Sequence, residues 1–167
     1  MLNHATSFFI GVNTPTLDSS SFILYFTAMK APSDKVAKHP EVVVGVVVRH
    51  KPSGKVLLTQ GSKWTIWGSH GGHVKYGETI AQTAVRETRE EVGLETSYVK
   101  IIQYGEMIEP KTLKKKRHFI FFHCLVDTDS DQVTIDNNEI LDYKWIYPNE
   151  ITKFKTNPEL VETMKLI

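Results

Sequence analysis

The stretch that decides the reading is Gly71–Leu94, GGHVKYGETIAQTAVRETREEVGL. Its second half has the signals of a helix from about Thr79 to Val92, ended by Gly93, which accepts the left-handed conformation that closes a helix. At about 100° per residue, Glu87, Glu90 and Glu91 share one face at spacings i, i+3 and i+4. Ile80, Ala81, Ala84, Val85, Thr88 and Val92 form an adjoining face expected to dock on a sheet. Like charges one turn apart destabilise an isolated helix, so three clustered carboxylates beside a packing face call for a compensating cation. Hard carboxylate oxygens suit Mg²⁺ or Mn²⁺, which complete their shells with water and substrate phosphates. The glycine-rich approach from Gly68 to Gly72 lets backbone come close to a metal or a phosphate. Such an arrangement serves phosphoryl chemistry.

A bare triplet of glutamates would be read as a solvated helix face held by pairs such as Arg86 with Glu90. The full spacing says more. Gly72, Glu78, Arg86, Glu87, Glu90, Glu91, Gly93 and Leu94 follow the order glycine, five residues, glutamate, seven residues, then Arg-Glu-x-x-Glu-Glu-x-Gly-aliphatic. This segment resembles the Nudix box. Two positions depart from the family's usual pattern: Thr88 stands where an aliphatic residue is usual, and His70 where a proline often precedes the two glycines.

The resemblance implies roles for the matching residues. Glu87, Glu90 and Glu91 match the metal-binding carboxylates, and the Gly71 carbonyl matches a common backbone ligand of Mg²⁺ or Mn²⁺. Arg86 matches the arginine that orients the first of these glutamates by a charge-assisted hydrogen bond. Glu78 matches a supporting position, structural or in an outer metal shell. The general base varies in the family; Glu87 and a loop acid outside the box are both open. Glu139, in the Asp136–Ile140 turn, lies where similar proteins often carry a further carboxylate, with Asp142 the weaker alternative.

Around this segment the chain reads as one domain. Glu41–Val48 is a β-branched run, Lys55–Thr59 a returning strand after the Pro52-Ser53-Gly54 turn, and Gly61–Gly77 a long connection. Val99–Gly105, His118–Val126 and Tyr143–Tyr147 read as further strands, and Asn157-Pro158-Glu159 opens a C-terminal helix with a cap, a proline and an acid. The expected fold class is α/β: a Nudix-type α/β/α sandwich around a mixed sheet, spanning residues 36–167. Residues 1–35 are expected to be an extension packed on that domain, with a capping or oligomer-forming arm, and hence a homodimer, left open.

Composition narrows the function classes. The chain has 167 residues, 41% hydrophobic and 23% charged, as expected of one globular domain. A net charge of +1 argues against a globally basic nucleic-acid binder, although capped RNA stays open as a substrate. The single cysteine, Cys124, fits a reducing compartment and an inert core thiol, so the expected location is cytoplasmic. No apolar run approaches the ~18 residues of a membrane span, and no membrane partner is expected.

The expected activity is hydrolysis of a diphosphate linkage in a nucleoside diphosphate joined to another group, first a nucleoside triphosphate giving monophosphate and pyrophosphate. Nucleotide sugars and dinucleoside polyphosphates are the alternatives within that class; a catalytically inert nucleotide-sensing module is the alternative outside it. Trp64, Trp67 and Tyr76 flank the glycine loop and could stack on a base or simply pack, and Gly72 and Glu78 complete the expected substrate-facing set. Lys111, Lys114, Lys115, Lys116 and Arg117 form a basic run that either attracts anions or is a solvated hairpin tip. His70 and His73 are candidate phosphate or acid-base groups, with a structural role the commoner fate.

Overall fold

In the computed structural model, residues 39–63, 66–108 and 117–167 are described. The expected extension at residues 1–35, Trp64 and the lysines of the basic run lie outside the described residues. His39–Ile167 form one compact unit.

The β-branched run at Glu41 becomes β1, Glu41–His50, and every other element is arranged around it. β2 spans Val56–Gly61, and the glycine-rich segment read as a connection contains two short strands, β3, Trp67–Gly68, and β4, His70–His73. The helix follows as α1, Ile80–Val92. Beyond it come β5, Tyr98–Ile108, β6, His118–Thr128, and β7, Ile140–Ile146. A 3-10 turn at Pro148–Lys153 and α2, Pro158–Met164, end the chain.

β1 runs parallel to β6 along its whole length, from Glu41 opposite Phe119 to His50 opposite Thr128. Its other edge is divided. β4 takes Val43–Val46, while β2 joins at Arg49 opposite Val56. β5 is antiparallel to β6, and β7 and β3 are antiparallel to β2. The sheet is therefore mixed, as expected.

Alternation along β1 sorts its side chains between two cores. Val44, Val46 and Val48 pack with Leu57, Cys124 and Val126 under Ala84 and Val92 of α1. Val47 packs on the opposite face with Leu58, Leu125, Ile151, Leu160 and Met164, under the 3-10 turn and α2. Helices thus cover both faces, giving the α/β/α sandwich. Cys124 is buried without a disulfide, and burial pushes its thiol up to about 11.

α1 has the ends its sequence requires. Thr79 caps it, accepting from the Gln82 amide while the Gln82 side chain accepts from the Thr79 amide. Gly93 closes it at φ 67°. The packing face is rotated from the expected one: Thr83, Ala84, Glu87, Thr88 and Val92 are buried, whereas Ala81 is exposed and Val85 is half-buried beside a surface groove. The rotation has a local cause, because Thr83 donates inward to Glu78 and Glu87 is drawn under β4. Among the described residues, no helix is long and apolar enough to cross a membrane.

Candidate active site

Three consecutive residues of β4 meet three residues of α1. His70 Nε2 is 3.2 Å from the Thr88 hydroxyl, and the Gly71 amide donates to Glu91 Oε2 at 3.1 Å. Gly72 lies against Glu87, where a Cβ would fall 2.4 Å from Oε1. Gly72 is thus the cradle that admits the Glu87 carboxylate, and Glu87 is only 7% exposed. Gly71 has a different requirement: its φ is +140°, and a Cβ there would fall 2.0 Å from the Val44 carbonyl oxygen.

Arg86 organises the carboxylates from the other side. Its Nε and Nη2 donate to the two oxygens of Glu78 at 2.6 and 2.9 Å. Nη1 donates to Glu87 at 2.6 Å and to Glu90 at 3.1 Å, and Nη2 also reaches the His73 carbonyl at 3.2 Å. All five guanidinium N–H groups therefore have acceptors. The hydrogen bonds from Arg86 hold the Glu78 carboxyl down at about 2, with the Lys75 amide and the Thr83 hydroxyl assisting. With its oxygens taken this way, Glu78 is built into the loop before α1.

Among the described residues, Glu91 is held by a single donor, the Gly71 amide. Burial, together with the charges of Glu87 and Glu139, pushes its carboxyl up to about 7. Glu139 comes from a distant part of the chain. The Thr134 and Asp136 amides donate to the Val92 and Glu91 carbonyls, fastening that segment to the last turn of α1. The Glu139 amide returns to the Asp136 carbonyl at 3.0 Å, and Lys63 clamps both Glu139 oxygens at 2.7 and 2.8 Å.

Not every expected residue converges. The Glu90 side chain is half exposed, shared by Arg86 at 3.1 Å and Lys75 at 4.0 Å. Trp67 packs edge-on against Phe154 with Lys144 over its ring, so it serves the α2 face as packing. Tyr76 stands in solvent. Asp142 pairs loosely with Lys144 at 3.7 Å. His73 donates to Glu41 at 2.7 Å, and Arg117, the described residue of the basic run, binds the same carboxylate. Lys63 was not singled out from the sequence; its partner Glu139 is 76 positions away, and only the β2–β7 pairing brings them together.

Among the described residues, no three carboxylate or imidazole groups stand in a ready-made metal-binding arrangement, and Arg86 engages an oxygen of Glu87 and one of Glu90. The donor chemistry nevertheless fits a hard divalent cation. Glu87 is seated in a glycine cradle, Glu91 is raised by burial and then by the negative charges of Glu87 and Glu139, and Glu139 adds a further carboxylate. A cation of charge two would relieve that repulsion.

Comparison with known proteins agrees with this geometry. The family model described as the NUDIX domain matches residues 39–167. Nudix hydrolase 6 of Arabidopsis thaliana is 33% identical over 112 residues, 62% of this chain and 38% of that protein. The Escherichia coli O139:H28 protein NudI, named a nucleoside triphosphatase, is 29% identical over 108 residues, 60% of this chain and 74% of that protein. The chain matches less than half the length of the plant relatives. In fold, it superimposes on a MutT NUDIX hydrolase from Burkholderia pseudomallei with a TM-score of 0.65 at 16% identity, covering 77% of this chain and 98% of that one. Because the family model spans the whole described domain, and Arg86 and the Gly72 cradle hold Glu87 within it, the chain belongs to the Nudix hydrolase superfamily.

Proposed function

We propose that the chain hydrolyses a diphosphate linkage in a nucleoside diphosphate joined to another group, with a nucleoside triphosphate as the first-choice substrate. The observation that carries this reading is the register of β4 on α1, which gathers Gly71, Glu87 and Glu91 beside Glu139. Glu87, Glu90, Glu91 and the Gly71 carbonyl would hold Mg²⁺ or Mn²⁺, with Glu139 as an additional ligand. When bound, the cation supplies charge neutralisation at the diphosphate oxygens and eases deprotonation of a water.

The protein's own groups do the rest. Arg86 fixes the rotamer of Glu87 through a 2.6 Å charge-assisted hydrogen bond, and Glu78 fixes Arg86. A carboxylate takes the proton of the attacking water; Glu87 and Glu139 are the two candidates, being a box acid and a loop acid. The water oxygen bonds to phosphorus as the bridging P–O bond breaks, so a triphosphate cut between its α- and β-phosphorus leaves monophosphate and pyrophosphate. The first choice draws support from NudI, whose name is that of a nucleoside triphosphatase. Retention of every box carboxylate argues against an inert sensing module.

The test is a panel of nucleoside triphosphates, nucleotide sugars, dinucleoside polyphosphates and capped RNA, assayed with Mg²⁺, with Mn²⁺ and with chelator. Products are read as pyrophosphate by coupled pyrophosphatase and as monophosphate by coupled phosphatase. Metal-dependent release of pyrophosphate from triphosphates is the expected result. Turnover confined to another class would replace the first choice, and turnover unchanged by chelator would overturn the reading.

A further inference from the structure

The two positions at which the box departs from its usual pattern, His70 and Thr88, are 18 residues apart and touch each other. Both are buried, His70 at 3% and Thr88 at 0% exposure. The Thr88 hydroxyl donates to the Ala84 carbonyl at 2.8 Å, so its one proton is committed. The 3.2 Å contact with His70 can then be made only if the Nε2 of His70 carries the proton and donates. Among the described residues, His70 Nδ1 is left as a buried acceptor without a partner. The imidazole is therefore fixed in one tautomer and one orientation by a helix residue that stands between Glu87 and Glu91.

The pair adjoins the proposed metal site. His70 is bonded in sequence to Gly71, whose amide holds Glu91, and it is one residue from Gly72, against which Glu87 is seated. The neighbouring contacts of β4 with α1 offer no side chain from the strand: Gly71 and Gly72 have none, and His73 meets Arg86 through its carbonyl. A glycine pair gives backbone room and no lateral restraint. Among the described residues, the hydrogen bond from His70 to Thr88 is the one tie at this crossing with a side chain at both ends.

We infer that His70 and Thr88 act together as a positioning pair: the Nε2–H of His70 bonded to the Thr88 hydroxyl sets the register of β4 on α1, and through it the placement of the Gly71 backbone relative to Glu87 and Glu91. This rests on the proposed metal-dependent reading of those carboxylates. His70 touches none of the reacting atoms and acts through Gly71. Outer-shell groups that orient ligands in this way change metal affinity by about 10–100-fold when removed.

The experiment is a double-mutant cycle on the full chain with Mn²⁺ binding by calorimetry as the readout, using Thr88→Val, His70→Ala and the two combined. Each single change is expected to weaken Mn²⁺ about tenfold, and the double no further than the worse single, since either removes the same bond. Thr88→Ser, which keeps the hydroxyl, is expected to restore wild-type affinity. Nitrogen-15 NMR of wild-type imidazoles should show His70 protonated at Nε2, independently of metal, substrate or turnover.

Single variants that bind Mn²⁺ as wild type does, while only their melting temperatures fall, would reduce the pair to packing and overturn the inference. Independent, multiplying losses in the double variant would do the same, as would a proton on Nδ1. Should His70→Ala not fold, the comparison of Thr88→Val with Thr88→Ser and the tautomer still decide. Wild-type chain that binds no Mn²⁺ would overturn the metal reading itself and the positioning role with it, a result distinct from unchanged variants.

Discussion

Arg86 and Glu78 are joined by two parallel hydrogen bonds, Nε to Oε1 at 2.6 Å and Nη2 to Oε2 at 2.9 Å, across the start of α1. The fork uses one edge of the guanidinium and leaves Nη1 for Glu87 and Glu90. Glu78 therefore reaches the carboxylates of the site through Arg86 without touching them.

Replacing Arg86 by lysine keeps the charge and loses the fork. An ammonium cannot hold Glu78 bidentately while also reaching Glu87, so turnover is expected to fall about 10–100-fold. Glu78→Gln is expected to give a milder loss in the same direction. Steady-state kinetics with circular dichroism as the fold control checks both. A lysine variant with wild-type turnover would remove Arg86 from the orienting role.

Glycine substitutions on β4 should separate site from fold. In Gly72→Ala the new methyl meets the end of the Glu87 side chain, which can swing aside, so stability changes little while turnover drops sharply. In Gly71→Ala the methyl meets the Val44 carbonyl in a backbone region that L residues avoid, and the melting temperature itself is expected to fall. Thermal melts beside rate measurements test the contrast. Equal effects of the two changes on both quantities would contradict it.

Glu91 links function to stability with opposite signs. Its carboxyl is raised to about 7, so in the metal-free protein ionising it costs folding free energy. The stability that goes with the neutral carboxyl is fully present below the unfolded carboxylate range and is lost as pH rises through about 7, where the cost of ionisation is complete. Glu91→Gln is therefore expected to melt higher than wild type in chelator at pH 8, and to have a rate lower by orders of magnitude, each tenfold being about 1.4 kcal/mol of barrier. A variant that melts lower and turns over normally would refute both halves.

Two buried histidines act in the other direction. Burial lowers His70 to about 3 and His123 to about 4, the latter accepting or donating at Nδ1 to the Thr163 hydroxyl 2.6 Å away. Groups held neutral by the fold contribute stability above the unfolded histidine range, and this is lost as pH falls from about 6.5 toward 4. Denaturant titrations at pH 7 and 5 should show a less stable protein at pH 5, with part of the difference removed in His123→Gln. An identical pH dependence in that variant would exclude His123 as a contributor.

Much of the fold was legible because its signals are local. The helix start near Thr79, the Gly93 terminator and the Asn157-Pro158-Glu159 start are set by neighbours in sequence, and the elements begin and end about where expected, with Thr79 found to be the cap of α1. The β-branched run of β1 identified the central strand for the same reason. β3 and β4 escaped because Gly68, Gly71 and Gly72 carry no side-chain period; they become strands only by pairing with β2 and β1. Ala81 and Val85 were placed on the packing face from the helical period alone. The actual rotation of α1 is fixed by Thr83 and Glu87, polar residues that the glycine cradle and Glu78 make it favourable to bury. Spacing singles out Glu87, Glu90 and Glu91 as candidates sharing a helix face, whereas the contact of Lys63 with Glu139 depends on two loops that only the folded sheet brings together.

The proposed role of the α1 carboxylates is to hold a divalent cation. The direct measurement is calorimetric titration of Mn²⁺ into wild type, Glu87→Gln and Glu91→Gln at pH 8, with each protein's fold verified beforehand. Binding to the wild type, weakened at least tenfold in both folded variants, is the expected result. Unchanged Mn²⁺ affinity in the two variants would contradict the claim, whatever their turnover.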